Sequence, residues 1–456
     1  MEHFAVFEKI EKDLLEMKKE NEYISRALCK TARLTDYSAH GNVWTSALQR
    51  AIDENEVIII PERDEPYILD ASVIIPSNRR IIAEGRARIV LAEGTKVLML
   101  RNANVADGTH ERIARGTQNE NISIEGGIWE ECHTRRGGYG RSGMFDAERS
   151  LFGVSTCFFF NNVDRLTLKN MTFRRTGGFA IQIGDARNVV VEGIRFEGCF
   201  ADGVHINGGV ENAYVKDIRG SVGDDLVALN MYDWLDSSVN FGPTRNVLCE
   251  DLALSEESPY KAIRLLPGVY KFDDGTKIDC SLTNAIFRRV SGIKTFKFYC
   301  QTPRYDKGCS PEPVEIGSGD NVLFDDIDIE LDEPIDKLQP YLTADPITGA
   351  FAAFELGSNI ENLFFRDIRL CLDRGRFPES HFLTVGPKSV RIGDTELFDP
   401  YFSSEVSNVY FENVSVNGER VDSLTPFVRE IEFDALYPDM PSTAKGTVKS
   451  IISLDK

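Results

Sequence analysis

Asp202 and Asp225 are separated by an interval that recurs along this chain, and Asp224 adjoins the second of them. Three carboxylates suit acid–base chemistry if the fold brings them to one surface, because one can donate a proton while another takes one from water. Inverting glycoside hydrolysis needs such a pair, with an acid on the leaving oxygen and a base on the water, about 6.5–9.5 Å apart. Crowding helps, since like charges a few Å apart cannot all ionise cheaply and one group is pushed toward its protonated form. An isolated Asp-Asp is ordinarily a solvated turn. The chemistry therefore depends on whether the interval from 202 to 225 is a structural period.

The chain supplies that period. A pattern Asn-h-x-h-x-x-h-x-h, with h apolar, begins at Asn188, Asn212, Asn246, Asn284, Asn321, Asn362 and Asn408, at Arg165, and in a variant form at Asn121. Two short alternating runs separated by a break predict two short strands with a turn between them. A further alternating run, Ile181-Gln182-Ile183, returns as Val204-His205-Ile206, Val227-Ala228-Leu229 and Ile263-Arg264-Leu265. The steps from 181 to 204 and from 204 to 227 are equal to each other and to the step from Asp202 to Asp225. This spacing predicts an all-β solenoid of parallel strands in which residues one period apart sit about 4.8 Å from each other. Gln182, His205, Ala228, Arg264 and Lys297 then form one column, the floor of a groove beside the acids.

The coils are expected from about 57 to 418, giving a helical extension at 1–40, a β-helix at 41–418 and a capping tail at 419–456. The helical run Thr45–Ile52 should cover the open apolar end of the stack. In the first thirty residues, Phe7, Ile10, Leu14, Leu15 and Met17 recur at mostly helical spacing. They predict a surface helix packed on the body, with a dimer contact as the alternative, so a homo-oligomer stays open.

The coil ends carry a family resemblance. One reads Cys199-Phe200-Ala201-Asp202-Gly203-Val204-His205-Ile206-Asn207-Gly208 and the next Val222-Gly223-Asp224-Asp225-Leu226-Val227. The chain resembles the polygalacturonase family, glycoside hydrolase family 28, over roughly 40–418. That family has a right-handed parallel β-helix of the pectin-lyase-like class. Its pattern is Asn-Thr-Asp, Asp-Asp one coil on, His-Gly, then Arg-Ile-Lys. Asp202 falls on the first Asp, although Phe200 and Ala201 replace its Asn and Thr, and Asp224 and Asp225 match the pair after the expected Gly223. Lys261 stands at the histidine, Lys297 at the arginine and Tyr299 at the lysine. The resemblance implies Asp225 as general acid, with Asp202 and Asp224 holding and deprotonating the water. The acids are kept and the substrate-handling groups have changed, so a hydrolase is supported and galacturonate as its sugar is not.

Substrate contacts are expected from Gln182, His205, Lys261, Arg264, Lys297 and Tyr299, with Trp234, Tyr232, Tyr260 and Tyr270 available to stack on a pyranose face. The coils lengthen at 231–245, 269–279 and 302–313. Such insertions should wall the acids into a pocket and favour exo-attack on a short oligosaccharide, with inversion. Two other readings compete: a lyase or epimerase of the same fold, in which a Lys or Arg abstracts a proton beside a carboxylate-held Ca²⁺, and a non-catalytic carbohydrate-binding solenoid.

Composition narrows the partners. The 52 basic and 72 acidic residues give a net charge of −20, which disfavours nucleic acid and anionic membranes. No apolar run is long enough for a membrane span, and the charged first thirty residues lack the apolar core of a signal peptide, so a cytoplasmic location is expected. Nine cysteines without a CxxC pair suggest free thiols, and neither a metal nor another cofactor is expected.

Overall fold

The computed structural model describes residues 2–95, 97–104, 118–131, 156–233, 240–271, 274–304, 315–332, 351–378, 380–392, 395–439 and 442–455. Its repeats are explained by their corners. Asn121, Arg165, Asn188, Asn212, Asn246, Asn284 and Asn321 all have φ between 52° and 61°. This left-handed region costs most L-residues about 1–2 kcal/mol, and Asn tolerates it because its short amide bonds locally. Further on, where the pattern breaks, comes a second left-handed corner: Asn170, Gly193, Asp217, Asp251, Arg289, Asp326, Asp367 and Asn413, with φ between 51° and 68°. What the sequence shows as a turn is a one-residue bend. Strands such as Phe179–Cys199 and Val204–Val222 run through it with pairing on both sides.

The asparagine amides also bond from coil to coil. Asn212 Nδ2 donates to Asn188 Oδ1 at 3.1 Å and Asn246 Nδ2 to Asn212 Oδ1 at 3.0 Å. Asn321 donates likewise to Asn284 at 3.1 Å, and Asn408 to Asn362 at 3.2 Å.

The chain divides into two compact units, the first made of Met1–Val227, Leu235–Asn240 and Asn246–Leu248, the second of Ala228–Trp234, Phe241–Arg245 and Cys249–Lys456. In the first, Arg79–Leu91, Asn119–Glu130, Val163–Lys169, Phe179–Cys199 and Val204–Val222 pair in parallel, each with the next. Apolar side chains at alternate positions fill the inside, where the rings of Trp129, Phe158, Phe173 and Phe196 follow one another at 4.9, 4.8 and 5.9 Å.

Helix α1 (Ala5–Ala27) buries Phe7, Ile10 and Leu14. It lies on this unit, where Asn21 Nδ2 donates to the Asn188 carbonyl at 2.8 Å and Lys18 pairs with Glu192 at 2.6 Å. Helix α2 (Thr45–Glu54) buries Ala47, Leu48, Ala51 and Ile52. Its Gln49 side chain completes the backbone bonds of Ile74, accepting from its N–H at 2.8 Å and donating to its carbonyl at 2.9 Å. An open strand edge is thereby closed at the N-terminal end. No described helix is long and apolar enough to cross a membrane.

The second unit repeats the plan. Ala262–Leu266, Thr295–Tyr299, Phe351–Gly357 and Ser380–Val385 pair in parallel in one column. Leu282–Ser291, Ser318–Leu331, Asn359–Leu372 and Ser404–Glu412 do so in another. Inside, Phe287, Phe324 and Phe365 stack at 5.5 and 5.7 Å. Beyond Gly418, where the repeat fades from the sequence, Val428–Glu430 and Gly446–Ser453 still add parallel strands. Two of the insertions hold sheet of their own. Gly268–Lys271 and Lys277–Cys280 form an antiparallel hairpin, and Gln301–Arg304 pairs with Ser389–Ile392, which pairs with Thr395–Phe398.

Corners and ion pairs each yield a prediction. Asn212→Ala forces alanine into the left-handed region and removes an amide bond, so it should cost about 2–3 kcal/mol, and Asn212→Gly about 1. Equal losses in urea titrations would reject the corner account. The second concerns Asp325, which accepts from Arg288 Nε at 2.8 Å and Arg366 Nη2 at 2.7 Å. Burial alone would raise its carboxyl, but the bonds and charges of Arg366 and Arg288 outweigh it and hold the group below the usual range. A depressed folded pKa contributes stability that is present above the unfolded value of about 3.9 and lost as pH falls through the folded one. Asp325→Asn should therefore lower stability at pH 7 and flatten its decline below about pH 4. An unchanged acid profile would remove Asp325 from that linkage.

Candidate active site

In the first unit the pairing register makes the sequence period one coil. Ile181 pairs with Val204 and Gln182 with His205. The acids precede these strands. The Ala180 N–H donates to the Asp202 carbonyl and the Gly203 N–H to the Asp225 carbonyl, both at 2.9 Å. Phe179, Asp202 and Asp225 thus hold equivalent places on successive coils. Two glycines permit the close approach of these loops. A Cβ on Gly223 would lie 1.9 Å from the Phe200 carbonyl oxygen, and one on Gly203 would lie 2.4 Å from the Phe196 ring.

Each of Asp202, Asp224 and Asp225 offers an oxygen within 4.8 Å of the other two. The sequence leads one to expect solvent-facing acids, yet Asp202 is 3%, Asp224 9% and Asp225 1% exposed. Oxygens this close can share a proton, a water or a cation. His205 is 1% exposed, and its Nδ1 lies 2.5 Å from Asp202 Oδ2. Its ring stacks on Phe179 at 4.1 Å and 18°. Gln182 is fully buried in the same column.

The second unit carries the cationic candidates. Arg264 pairs in register with Lys297, and Lys297 with Glu355. Lys297 Nζ is 3.0 Å from a Glu355 oxygen and 5.8 Å from the Tyr299 ring centre. The Arg264 guanidinium lies 4.8 Å over the ring of Tyr260. Lys261 Nζ donates to the Ser255 and Glu256 carbonyls at 3.1 and 2.6 Å, which ties it to a turn of its own chain. Lys261, Arg264, Lys297 and Tyr299 are all buried. Tyr270 stacks on Phe241 at 4.0 Å, and Tyr232 lies 5.6 Å from the same ring. Trp234 lies outside the described residues.

Three features escape the sequence argument. Phe179 stands one period before Asp202 and could have been found by counting back one coil. Glu355 could not, because the stretch from Lys297 to Glu355 is far longer than one period and the count is lost there. In the insertion at 231–245, expected to flank the acids, Asn240 lies against Asn207 and Gly208. The Asn240 N–H donates to Asn207 Oδ1 at 3.3 Å, and a Cβ on Gly208 would lie 2.5 Å from the Asn240 Cβ. The cysteines described, Cys29, Cys157, Cys199, Cys249, Cys280, Cys300 and Cys371, are free thiols, and burial pushes Cys199 up to about 11 and Cys280 up to about 12.

No protein-family model matches the chain, and no curated protein matches it in sequence. Solved structures do. A hyperthermoactive exopolygalacturonase from Thermotoga maritima superposes with a TM-score of 0.55 at 12% identity, over 89% of this chain and 97% of that one. The fold is a right-handed parallel β-helix. The tailspike protein of E. coli bacteriophage HK620, as a mutant in complex with pentasaccharide, gives a TM-score of 0.48 at 13% identity over 93% of this chain and 67% of its own. The adhesin PfbA of Streptococcus pneumoniae gives 0.43 at 12%, over 93% and 97%. At 12% identity the likeness to the exopolygalacturonase establishes architecture and leaves activity to the site.

The Lys297–Glu355 pair yields a prediction with a direction. Lys297 is more deeply buried than Glu355, with side chains 5% and 22% exposed, so removing the anion strands a cation with less access to water. Glu355→Gln should cost about 3 kcal/mol and Lys297→Met clearly less, read as shifts in melting temperature. A larger loss for Lys297→Met would contradict this asymmetry.

Proposed function

We propose that the protein is a polygalacturonase-like glycoside hydrolase acting on a short oligosaccharide. The observation that carries the reading is the meeting of Asp202, Asp224 and Asp225 from neighbouring coils, with an oxygen of each within 4.8 Å of the others. A water hydrogen-bonded to two oxygens at about 2.8 Å each can bridge a gap of this size. Asp225 serves as general acid toward the leaving oxygen, while Asp202 and Asp224 hold and deprotonate the water, as the family pattern suggests. Among the described residues nothing hydrogen-bonds Asp202 Oδ1, which suits an oxygen that takes a proton from water.

Exo-attack belongs to the same proposal. Its support is the length and order of the insertions after successive column strands, seen in the hairpin of 268–271 with 277–280. A second reading has one observation in its favour. One oxygen of each acid lies within 4.8 Å of the others, and a retaining pair stands closer, at about 5–5.5 Å, than an inverting pair at about 6.5–9.5 Å, which favours one Asp as nucleophile.

A panel of plant and microbial oligosaccharides, with products identified over time, tests the activity. Release of a mono- or disaccharide from a chain end is expected, whereas early appearance of many intermediate lengths would show endo-cleavage. On the substrate found, Asp225→Asn and Asp202→Asn should each lower kcat by at least ~10²-fold. Asp225→Asn should hold or raise the melting temperature, because it relieves repulsion among buried carboxylates. Near-normal turnover in either variant would remove the acid–base assignment.

A further inference from the structure

We infer that His205 is a positioning residue for Asp202, acting on the reaction through that carboxylate and not as a sugar ligand. The inference rests on the hydrolase reading for its consequence, but its geometry stands alone. His205 Nδ1 lies 2.5 Å from Asp202 Oδ2, within reach of a charge-assisted hydrogen bond and closer than the about 2.7–2.9 Å usual for one between nitrogen and carboxylate. Both side chains are almost wholly buried, at 1% and 4% exposure. A buried imidazole bonded to a carboxylate through Nδ1 carries its proton there, because the carboxylate can only accept.

The imidazole is itself fixed. It stacks on the Phe179 ring at 4.1 Å and 18°, and its backbone is locked in the parallel ladder opposite Gln182. A carboxylate on the loop before a strand would otherwise turn freely about its side-chain bonds. Held by one oxygen, Asp202 presents the other in a set orientation, and that oxygen, Oδ1, has no donor among the described residues. The division is chemically useful: Oδ2 is the anchored oxygen, which leaves Oδ1 as the one to meet water.

The placement also differs from the family resemblance. Where the pattern has a histidine, this chain has Lys261, whose ammonium is bonded to the Ser255 and Glu256 carbonyls. The imidazole enters instead from His205, on the strand that follows Asp202. The phenylalanine that orients it stands one coil earlier, where the next two coils carry Asp202 and Asp225. Phe179, His205 and Asp202 therefore form a chain of ring stack, hydrogen bond and carboxylate in which each member fixes the next.

The test uses the full chain labelled with ¹⁵N-histidine. The sequence holds six histidines, and loss of one signal in His205→Asn assigns the ring. The expected spectrum shows the proton on Nδ1, shifted far downfield and slow to exchange, with the downfield shift collapsing in the near-isosteric Asp202→Asn. A ring protonated on Nε2 alone, or a shift indifferent to Asp202→Asn, would overturn the inference whether or not a substrate is known. On a substrate that turns over, His205→Leu should lower kcat about 10–100-fold, the scale of losing an orienting partner, with KM within about twofold. His205→Asn, which returns an N–H donor near the place of Nδ1, should recover most of that loss. A raised KM at unchanged kcat would make His205 a sugar ligand instead. If no substrate is found the hydrolase reading fails, while the ring spectrum still decides the positioning role.

Discussion

The parallel backbone ladder, and the register it imposes from coil to coil, is the constraint on which the other features depend. A strand added in parallel repeats the side-chain direction of the strand before it about 4.8 Å away, so any residue kept at one place in the coil becomes a column. Corners decide whether that register survives. The left-handed bends at Asn188, Asn212 and Asn246 turn the chain in one residue each, and the amide bonds from Asn212 to Asn188 and from Asn246 to Asn212 hold successive corners together. A corner of variable length would let the strands slip, and a slip of one residue would turn His205 from the outer column into the core.

The acidic trio uses this constraint against an electrostatic cost. Three carboxylates at 9% exposure or less repel one another and lose hydration, a state that persists only where the surroundings fix it. Gly203 and Gly223 let the two loops approach to distances that a Cβ would forbid. His205 compensates part of the cost by bonding Asp202, and the Phe179 stack limits where that bond can point. Packing, close approach and hydrogen bonding thus converge on one carboxylate, a concentration of buried charge and order more typical of reactive sites than of surface turns. Asp325 in the second unit shows the opposite solution: it is buried too, but between Arg288 and Arg366, where its charge is neutralised.

Much of this was legible because it is periodic. The repeats announced strands, bends and column positions, and the equal steps along the chain brought Asp202 to Asp225 on spacing alone. Burial of the trio was not legible, since it follows from glycine contacts and loops whose depth no local pattern encodes. Glu355 was hidden for another reason, as the long interval after Lys297 breaks the count by which columns are read. The tail showed a third limit. Val428–Glu430 and Gly446–Ser453 pair like the coils before them, although the sequence around them lacks the asparagine-led pattern. The Lys261 ammonium is bonded to a turn of its own chain, a direction the alignment of the alternating pairs does not give, because spacing fixes where a Cα stands and not where a long side chain goes.

The central claim is that this register assembles carboxylates that add water to a glycosidic carbon. Hydrolysis of the identified oligosaccharide in H₂¹⁸O, followed by NMR from the first turnovers and by mass spectrometry of the released sugar, tests it most directly. The account predicts one ¹⁸O at the anomeric carbon of the product, first seen in the inverted configuration. An unlabelled, unsaturated product that absorbs in the ultraviolet and disappears with chelator would contradict it and establish elimination, while labelled product of retained configuration would replace the bridging water with a covalent aspartyl intermediate.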